Sequence, residues 1–428
     1  MKPIKVGLLG LGTVGTGVVR IVENHQDDLL SQTGAPIEIA KILVQDLSKQ
    51  RNIPISRDKL TDNPRDVIEN EDIDVVIEVM GGIETAKTYI LEALERGKHI
   101  VTANKDLMAL HGPEILAKAS EKGCDVFYEA SVAGGIPIIR TLIEGFSSDR
   151  ITKIMGIVNG TTNFILTKMS QEGAAYEDVL KEAQALGYAE ADPTSDVEGF
   201  DAARKMTILG TLGFRANVAL ADVSVKGISQ VSKEDIAYGK KLGYEVKLLG
   251  IAERQDDLIS ISVQPTMVKQ SHPLASVNGV FNAVYVYGEA VGETMFYGPG
   301  AGEMPTATSV VADLVAVVRN VKLGIGGRRA FVPYKEKKLK TDEQISAKQY
   351  ILLHVADKAG VLAQITQVFA EYDVSLESVL QHPNPSNPNA EIIIITHEAN
   401  QASMKKVLKK FEQLDVVHAI KSVYRVEG

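Results

Sequence analysis

The sequence is poor in the residues that build disulfides and metal centres. It has one cysteine and no tryptophan among 428 residues, and aromatic side chains make up only 5%. A lone cysteine cannot form an internal disulfide, so a reducing cytoplasm is the expected location. Cys124 stands just before an apolar run and is interpreted as a buried bystander. The eight histidines show no HxxxH or HExxH spacing, which argues against a transition-metal site.

The sequence also lacks the features of a nucleic-acid arm, a membrane anchor or a signal peptide. The net charge is −9, and no run of lysine or arginine is long enough to follow a phosphate backbone. The apolar N-terminal run contains five glycines and is followed by no cleavage pattern. Neither a membrane helix nor a signal peptide is therefore expected there.

Strand-like and helix-like segments alternate over the first 150 residues. A length of 428 residues favours two or three domains. Short β-branched runs separated by helical segments indicate an α/β fold with a doubly wound, parallel, Rossmann-type sheet. The strand-like runs are residues 4–9, 37–44, 74–82, 99–105 and 125–135, with helical segments at 85–97 and 106–123.

Beyond residue 150 the pattern predicts a mixed α/β domain and then a separate tail. A long apolar helix at 305–322 could return to pack on the first domain. From Tyr350 onward the order is βαββαβ, with a turn "PNPSNPN" before the third strand, a unit of the right size to fold alone. The middle domain is expected to have helices near 161–172, 176–187 and 196–215 and strands at 246–252, 258–264 and 283–291.

Gly10, Gly12 and Gly15 form a GxGxxG pattern between the first strand and the first helix. The first glycine permits a tight turn, the second lets the backbone approach a pyrophosphate, and the third allows close helix–sheet packing. Amides at the start of the helix then face the anion. The context predicts dinucleotide binding.

The second strand carries a weaker indication of which dinucleotide is bound. No acidic residue stands at the strand tip, where a ribose diol is usually held, although Asp46 follows two residues after Val44. Lys49 and Arg51 could contact a 2′-phosphate. These residues favour NADP over NAD.

Two lysines lie where ligands are expected. Lys105 of "TANK" follows a strand on its carboxyl side, so it is either a solvated strand-end lysine or a group pointing into the cleft, and its position favours the cleft. Lys205 stands four residues after Asp201 in the acid-rich stretch "YAEADPTSDVEGFDAARK". The spacing alone favours an exposed ion pair between these two residues. The apolar residues that follow Lys205 suggest a buried helix and hence a pocket.

Several segments together resemble the homoserine dehydrogenase family. "ALGYAEADPTSDVEGFDAARK" is similar to its signature, and "GLLGLGTVGTGVV", "TANK", "EASVAGGIP", "NGTTNFIL", "HPLASVNG" and "YGPGAGEMPTA" match other family segments in order. The resemblance covers roughly residues 1–325. The tail resembles an ACT domain, a regulatory amino-acid-binding module, through its pattern and the loop "DKAGVL".

The resemblance implies a domain plan and an activity. The implied activity is the reversible NAD(P)H-dependent reduction of L-aspartate 4-semialdehyde to L-homoserine, in threonine, methionine and isoleucine biosynthesis. ACT modules usually pair side by side, so a homodimer or homotetramer is expected, with L-threonine as a possible effector. The domains are 1–130 plus 300–325 for the dinucleotide, 131–299 for substrate and oligomerisation, a linker at 326–348 and the ACT domain at 349–428.

The resemblance also assigns roles to individual residues. Lys205 is implied as the proton donor to the aldehyde oxygen, Lys105 as a group that shares this role near the nicotinamide, and Asp201 as the residue that orients the lysine. Glu190 is implied to hold the substrate ammonium. Further implied substrate contacts are Asp196, Gly160, Thr161 and Tyr188; implied cofactor contacts are Gly10, Gly12, Thr13, Val14, Gly15, Lys105, Gly187, Gly302 and Glu303; and a sodium or potassium site is implied at Glu129, Val132, Gly134 and Ile136.

Two other functions remain possible from the sequence, and one residue departs from the family pattern. A 2-hydroxyacid dehydrogenase with an ACT tail would need a His–acid pair with Arg, and no such histidine occurs in the pocket segments. A non-catalytic sensor of an amino acid and a dinucleotide would not need both lysines and the pocket acids.

Gln45 stands where relatives often carry Lys or Arg, which weakens the case for NADP.

Overall fold

The fold is described from a computed structural model. It describes residues 2–327, 333, 335–383 and 389–428; part of the predicted linker and most of the "PNPSNPN" turn lie outside these residues. The chain divides into two compact units. The first comprises Met1–Ile154, Arg204–Ala221 and Asn282–Glu336, and the second comprises Met155–Ala203, Asp222–Phe281 and Lys337–Gly428.

The described residues form eighteen strands and fourteen α-helices. The strands are β1 Ile4–Leu9, β2 Ile37–Leu43, β3 Leu60–Thr61, β4 Val75–Glu78, β5 His99–Thr102, β6 Val126–Phe127, β7 Ile151–Ile157, β8 Val223–Val225, β9 Tyr244–Gln255, β10 Leu258–Lys269, β11 Phe281–Gly288, β12 Gly292–Pro299, β13 Lys338–Leu339, β14 Ser346–Ala356, β15 Leu376–Pro383, β16 Asn389–Thr396, β17 Ala399–Asn400 and β18 Val417–Glu427. The helices are α1 Thr13–Asn24, α2 Gln26–Thr33, α3 Arg65–Ile68, α4 Glu84–Glu95, α5 Lys105–Lys122, α6 Ile138–Arg140, α7 Gly160–Glu172, α8 Tyr176–Ala185, α9 Thr194–Val197, α10 Phe200–Phe214, α11 Lys233–Lys241, α12 Glu303–Leu323, α13 Val361–Glu371 and α14 Gln401–Phe411.

The first unit contains the predicted parallel, doubly wound sheet. Its order is β3-β2-β1-β4-β5-β6, and every neighbouring pair runs parallel, which is the order of a dinucleotide-binding fold. Strands β1 and β4 are almost wholly buried, as expected of strands covered on both faces. Helix α12 packs on α1, where Gly17 leaves room for Ala307. The predicted return of the 305–322 helix to the first domain is thereby confirmed.

The second unit joins the tail to the middle of the chain through one sheet. Within this unit the strand order is β9-β10-β18-β14-β16-β15. The last four strands, with α13 and α14, form the predicted βαββαβ domain, whose core includes Phe369 and Phe411. Its last strand, β18, pairs in parallel with β10, with Thr266 opposite Arg425. The sequence had predicted this domain as a separate module and gave no sign of the shared sheet.

Two predicted elements differ from the structure, and one strand of eight residues was missed. The helix predicted at 196–215 is divided into α9 and α10, because Gly199 adopts a left-handed φ of +83° between them. The strand predicted at 125–135 is only two residues long and is followed by a tight turn at Glu129–Ser131. Strand β12 was not predicted. Among the described residues, no helix combines the length and apolar character needed to cross a bilayer.

Candidate active site

The glycine turn of the first unit leaves space above the start of α1. Gly10 has a φ of +103°, and a Cβ there would lie 2.9 Å from Met80 Cα. A methyl group on Gly15 would overlap the Gly10 carbonyl oxygen, so this helix turn packs directly on the end of β1. Gly12 is exposed and has no atom within 4 Å of its Cβ direction. Thr13 and Val14 follow it in the first turn of α1, where free amides favour an anion.

A cleft of about 630 Å³ opens beside this turn, also within the first unit. Gly10 and Gly12 line it together with Gln45, Lys49 and Arg51 from the segment after β2. The loop after β2 is held by its own polar groups: the Arg51 guanidinium donates to the carbonyl oxygens of Asp46 at 2.7 Å and of Lys49 at 2.8 Å. Hydrogen bonds from Ser48 lower the pKa of the exposed Asp46 carboxyl. Both cations that the sequence suggested for a 2′-phosphate thus border the same cleft as the glycine turn.

Glu78, at the end of β4, is a site residue that the sequence analysis missed. It is fully buried, and its carboxylate accepts from Met80 N at 3.0 Å, Gly81 N at 3.2 Å and Thr102 Oγ1 at 2.6 Å. Burial raises the pKa of this carboxyl against the lowering effect of these bonds. Glu78 therefore ties the ends of β4 and β5 together at the ligand-binding edge of the sheet.

The "TANK" turn fixes Lys105 at the first position of α5. Asn104 is the N-cap, and its Oδ1 accepts from Leu107 N at 3.0 Å, which is the standard way to satisfy a free helix amide. The same side chain donates from Nδ2 to Gly82 O at 2.7 Å. Lys105 is half-buried at the carboxyl end of β5.

An ion pair within the first unit brings the neighbours of the two lysines together. Arg204 Nε lies 2.8 Å from Asp106 Oδ1. Arg204 precedes Lys205 on α10, and Asp106 follows Lys105 on α5, so the start of α5 meets α10 where both lysines are found. Lys205 is only 9% exposed, which is unusual for a lysine and does not fit the exposed surface ion pair that the spacing alone allowed.

In the second unit, Asn159 gathers two of the predicted acids. Its Nδ2 donates to Asp196 Oδ1 at 2.7 Å and to Asp201 Oδ2 at 2.9 Å. Its Oδ1 caps α7 by accepting from Thr162 N at 2.8 Å. Asn159 is 5% and Asp201 is 2% exposed, so the acids are held by a buried amide. The residues after Asn159 were predicted as substrate contacts but Asn159 was not, although an asparagine directly before a helix is a recognised N-cap.

The other predicted substrate residues lie around α7 and the acid-rich loop, defined here as residues 190–201. Thr161 Oγ1 donates to Tyr188 O at 2.6 Å, and a Cβ on Gly160 would come within 2.8 Å of Val280 O. The Glu190 carboxylate is exposed and makes no hydrogen bond or ion pair with any residue that the structure describes. It is open to an incoming ammonium group. Gly187, predicted as a cofactor contact, lies after α8 in this second unit.

The segment from Glu129 to Ile136 has the donor chemistry of a monovalent-cation site. The two oxygens of the Glu129 carboxylate accept from Ile139 N at 2.6 Å and Arg140 N at 2.8 Å, and the Glu129 carbonyl accepts from Val132 N at 3.4 Å. The Gly134 carbonyl accepts from Ser309 Oγ at 2.7 Å, and the Val132 and Ile136 side chains are buried. A carbonyl oxygen has two lone pairs, so one hydrogen bond leaves room for an ion. These residues fit a sodium or potassium ion.

Gly302 and Glu303 form the start of α12 in the first unit. Gly302 is the N-cap with a φ of +126°, a conformation that favours glycine. The Glu303 carboxylate lies 3.2 Å from Arg20 Nε on α1. A Cβ on Gly17 would approach Glu303 O to 2.7 Å, so the starts of α1 and α12 are in close contact. The two predicted cofactor residues therefore lie near the helix that follows the glycine turn.

Comparisons with known proteins agree along the whole chain. The family model for the homoserine dehydrogenase NAD-binding domain matches residues 10–129, the homoserine dehydrogenase model matches 137–315, and the ACT domain model matches 349–416. The homoserine dehydrogenase of Bacillus subtilis strain 168 is 59% identical over 100% of this chain and 99% of its own length.

Solved structures give the same result. A crystal structure of a homoserine dehydrogenase from Thiobacillus denitrificans superposes with a TM-score of 0.94 at 42% identity, covering 100% of this chain and 99% of that one. A hyperthermophilic archaeal homoserine dehydrogenase in complex with NADPH superposes with a TM-score of 0.62 at 26% identity, covering 75% of this chain and 98% of that one. Because the matches extend over the NAD-binding, central and ACT regions alike, the chain belongs to the homoserine dehydrogenase family of oxidoreductases.

Proposed function

We propose that this chain catalyses the reversible NAD(P)H-dependent reduction of L-aspartate 4-semialdehyde to L-homoserine. The observation that carries the proposal is the buried Asn159 amide, which holds Asp196 and Asp201 beside the start of α7. Such an acidic pocket, with two carboxylates held by one buried amide, suits a substrate with an ammonium group and a reacting oxygen. Homoserine is a precursor of threonine, methionine and isoleucine, so the proposed role is biosynthetic and cytoplasmic.

Each predicted residue type has a step to perform in this reaction. Glu190 pairs with the substrate ammonium through its exposed carboxylate. The nicotinamide cofactor, when bound, supplies or accepts the hydride. Lys205 donates a proton from Nζ to the substrate oxygen during reduction and takes it back during oxidation, while its positive charge stabilises the developing alkoxide. Asp201, four residues earlier on α10, orients that ammonium, and Lys105 at the start of α5 shares the proton-transfer role.

The dinucleotide is proposed to occupy the cleft over Gly12, with NADP accepted in preference to NAD. Lys49 and Arg51 line this cleft and supply positive charge for a 2′-phosphate. Gln45, two residues after the end of β2, carries no charge and therefore limits the preference for NADP over NAD. Replacing Lys49 with Met should therefore raise KM for NADP several-fold and leave KM for NAD unchanged. An equal change for both cofactors would contradict this assignment.

A sodium or potassium ion is proposed to bind the carbonyl groups of Glu129, Val132, Gly134 and Ile136. Its charge would hold this turn in place next to α12, since the Gly134 carbonyl already accepts from Ser309 of that helix. The ion takes no part in hydride or proton transfer. Thermal melts in sodium or potassium chloride should give a higher Tm than melts in tetramethylammonium chloride at equal ionic strength.

The ACT domain is proposed to bind an amino acid, with L-threonine as the first candidate, and to support a homo-oligomer. Its loop "DKAGVL" leads into α13, whose N-cap Gly360 has a φ of +87°, and the free amides of that first turn could hold a carboxylate. Threonine should change either the rate or Tm. If it changed neither, the domain would be assigned to oligomerisation alone, and a monomer in light scattering would remove that role too.

The proposed function is tested by following the absorbance of NADPH and NADH formed from L-homoserine by the purified protein. Turnover in the presence of potassium or sodium would establish the reaction, and the ratio of the two rates would measure the cofactor preference. A folded protein without turnover on either cofactor would favour the alternative, a sensor that binds an amino acid and a dinucleotide without reaction.

A further inference from the structure

A short segment of the second unit lies directly against the acid-rich loop. This bridging segment comprises residues 226–231, between β8 and α11. Its Ile228 N donates to Val197 O of the acid-rich loop at 2.8 Å. Gly227 packs so closely on the loop that a Cβ would lie 2.5 Å from Glu198 Cα. The backbone of the bridging segment is therefore a supporting surface for the loop that carries Asp196 and Asp201.

The opposite side of the bridging segment is held by β18, the last strand of the ACT domain. Lys226 Nζ donates to Val423 O at 3.0 Å and lies 5.0 Å from the centre of the Tyr424 ring. The Tyr424 hydroxyl lies 3.3 Å from Gln230 O and 3.1 Å from Asp235 Oδ2, so its one proton is shared between these two acceptors. Two residues of the bridging segment thus contact one short stretch of the ACT strand.

That ACT strand is itself firmly placed. Asp235 is fully buried at the start of α11 and accepts from Ser422 Oγ at 2.7 Å and from Ser232 Oγ at 2.7 Å. Tyr350 of β14 stacks on Tyr424 with ring centres 5.9 Å apart. A buried carboxylate satisfied by hydroxyls on three sides resists displacement, because each lost bond would leave it unpaired. Tyr424 consequently presents its ring and hydroxyl to the bridging segment from a fixed position.

We propose that Lys226 and Tyr424 are positioning residues for the amino-acid substrate, through which the last ACT strand holds the acid-rich loop in its binding conformation. The inference rests on the proposed function, since it assigns these two residues to the support of the same pocket. They act through the backbone of the bridging segment and touch neither the substrate nor the cofactor. The ACT domain therefore has a structural role in the substrate site even without an effector.

The test uses the full-length protein with single substitutions. Lys226→Met removes the ammonium and keeps the stem, Tyr424→Phe removes the hydroxyl and keeps the ring, and Lys226→Arg restores a cation. The matched control is Lys348→Met, which breaks the ion pair between Lys348 on β14 and Glu377 on β15. For each protein we would measure KM for L-homoserine, KM for the cofactor, kcat, and amide hydrogen exchange of residues 192–200.

The expected result for Lys226→Met is a KM for L-homoserine raised roughly tenfold, the effect of losing one charge-assisted hydrogen bond and a cation–π contact. KM for the cofactor should change less than about twofold, exchange of residues 192–200 should quicken, and Lys226→Arg should recover most of both effects. Tyr424→Phe should act in the same direction but less strongly, and Lys348→Met should behave like the wild type.

The proposal would be overturned if KM for L-homoserine and exchange of the acid-rich loop stayed at wild-type values in both Lys226→Met and Tyr424→Phe. It would equally be overturned if both KM values rose together, as general destabilisation would produce. Failure of the proposed function is distinguishable from these outcomes, because it would be an inactive wild-type protein. The exchange comparison needs no turnover and would still decide whether β18 holds the loop.

Discussion

A single polar residue organises the acids of the pocket. Asn159 uses both ends of its amide, with the oxygen on the start of α7 and the nitrogen on Asp196 and Asp201. Only a side chain that both donates and accepts can do this. The acids could be found from the sequence because carboxylates concentrate in one stretch. Asn159 was missed because its partners lie 37 and 42 residues away, a distance that no local pattern reports.

Replacing Lys205 with Ala should abolish most of the activity and leave the fold intact. Lys205 is the proposed proton donor, and general acid catalysis typically contributes roughly 10²- to 10⁴-fold to a rate. Alanine is a strong helix former, so α10 should persist, which circular dichroism would verify. Lys406→Ala, an exposed lysine of the ACT domain, is the matched control. Turnover within tenfold of the wild type would remove Lys205 from its proposed role.

Lys247 should make the free energy of unfolding depend on alkaline pH. Its Nζ is buried and donates to Val277 O at 2.6 Å and Asn278 Oδ1 at 3.1 Å. Burial lowers its pKa to about 8, against a raising effect from Glu245. Between pH 8 and the unfolded value near 10.5, the unfolded chain holds the proton and the folded chain does not, so stability rises with pH in this window.

The magnitude and the control for this prediction follow from the same linkage. Between pH 8 and 10.5, the titration of Lys247 should add roughly 3 kcal/mol at most to the free energy of unfolding. It would be measured as the difference in unfolding free energy between the wild type and Lys247→Met, from urea melts at several pH values between 7.5 and 10.5. As pH rises, the free energy of unfolding of the wild type should increase relative to that of Lys247→Met. A difference that does not change with pH would show that Lys247 titrates normally.

At the level of secondary-structure elements, glycine and asparagine gave the most useful sequence signals. The turn between β1 and α1 has the conformation that its glycine spacing predicts, because Gly10 needs a positive φ and Gly15 has no room for a side chain. The break at Gly199 was missed, since helical periodicity continues on both sides of it. An isolated glycine inside a helical pattern does not by itself reveal which backbone conformation it adopts.

Two alanine substitutions in the β1–α1 turn should separate folding from cofactor binding. Gly15→Ala places a methyl group against the Gly10 carbonyl and should cost about 1–3 kcal/mol of stability. Gly12→Ala meets no atom within 4 Å and should change stability by less than about 1 kcal/mol. It should nevertheless weaken NADPH binding at least tenfold, because the methyl group occupies the path of the pyrophosphate. Thermal melts without cofactor and a fluorescence titration with NADPH would measure the two effects. Undiminished NADPH binding by Gly12→Ala would place the dinucleotide elsewhere.

At the scale of the whole molecule, the sequence predicted the α/β class and the ACT domain but not how the ACT domain is attached. Each predicted region has its own periodicity and turn residues, so each could be recognised by itself. The pairing of Thr266 with Arg425 joins segments far apart in the chain. Both β10 and β18 have the residue pattern of ordinary strands, and this pattern does not indicate with which strand each of them pairs. The predicted domain boundaries stay a prediction.

Removing the ACT domain from this chain should therefore damage the remaining protein. A chain that stops after Glu336 would leave β10 without β18 and β13, and Asp235 without Ser422, Tyr350 and Tyr424. An unpaired strand edge beside a buried carboxylate promotes aggregation. The shortened protein should elute as aggregates in size-exclusion chromatography, or melt well below the full-length protein. A monodisperse product with unchanged Tm would contradict this expectation.

The pairing of β10 with β18 has a consequence for the order of events during biosynthesis. Chains emerge from the ribosome N-terminus first, and domains generally begin to fold as they appear. The Rossmann-type sheet can form its central strands early, but β10 must wait for β18 until more than 150 further residues have been translated. The earlier strand β8 already covers Ile261–Val263, but the part of the edge at Thr266–Val268 remains open to other nascent chains during that interval. Contacts of such long sequence separation form slowly. Partly synthesised chains of this enzyme are thus expected to be frequent clients of chaperones that bind at the ribosome.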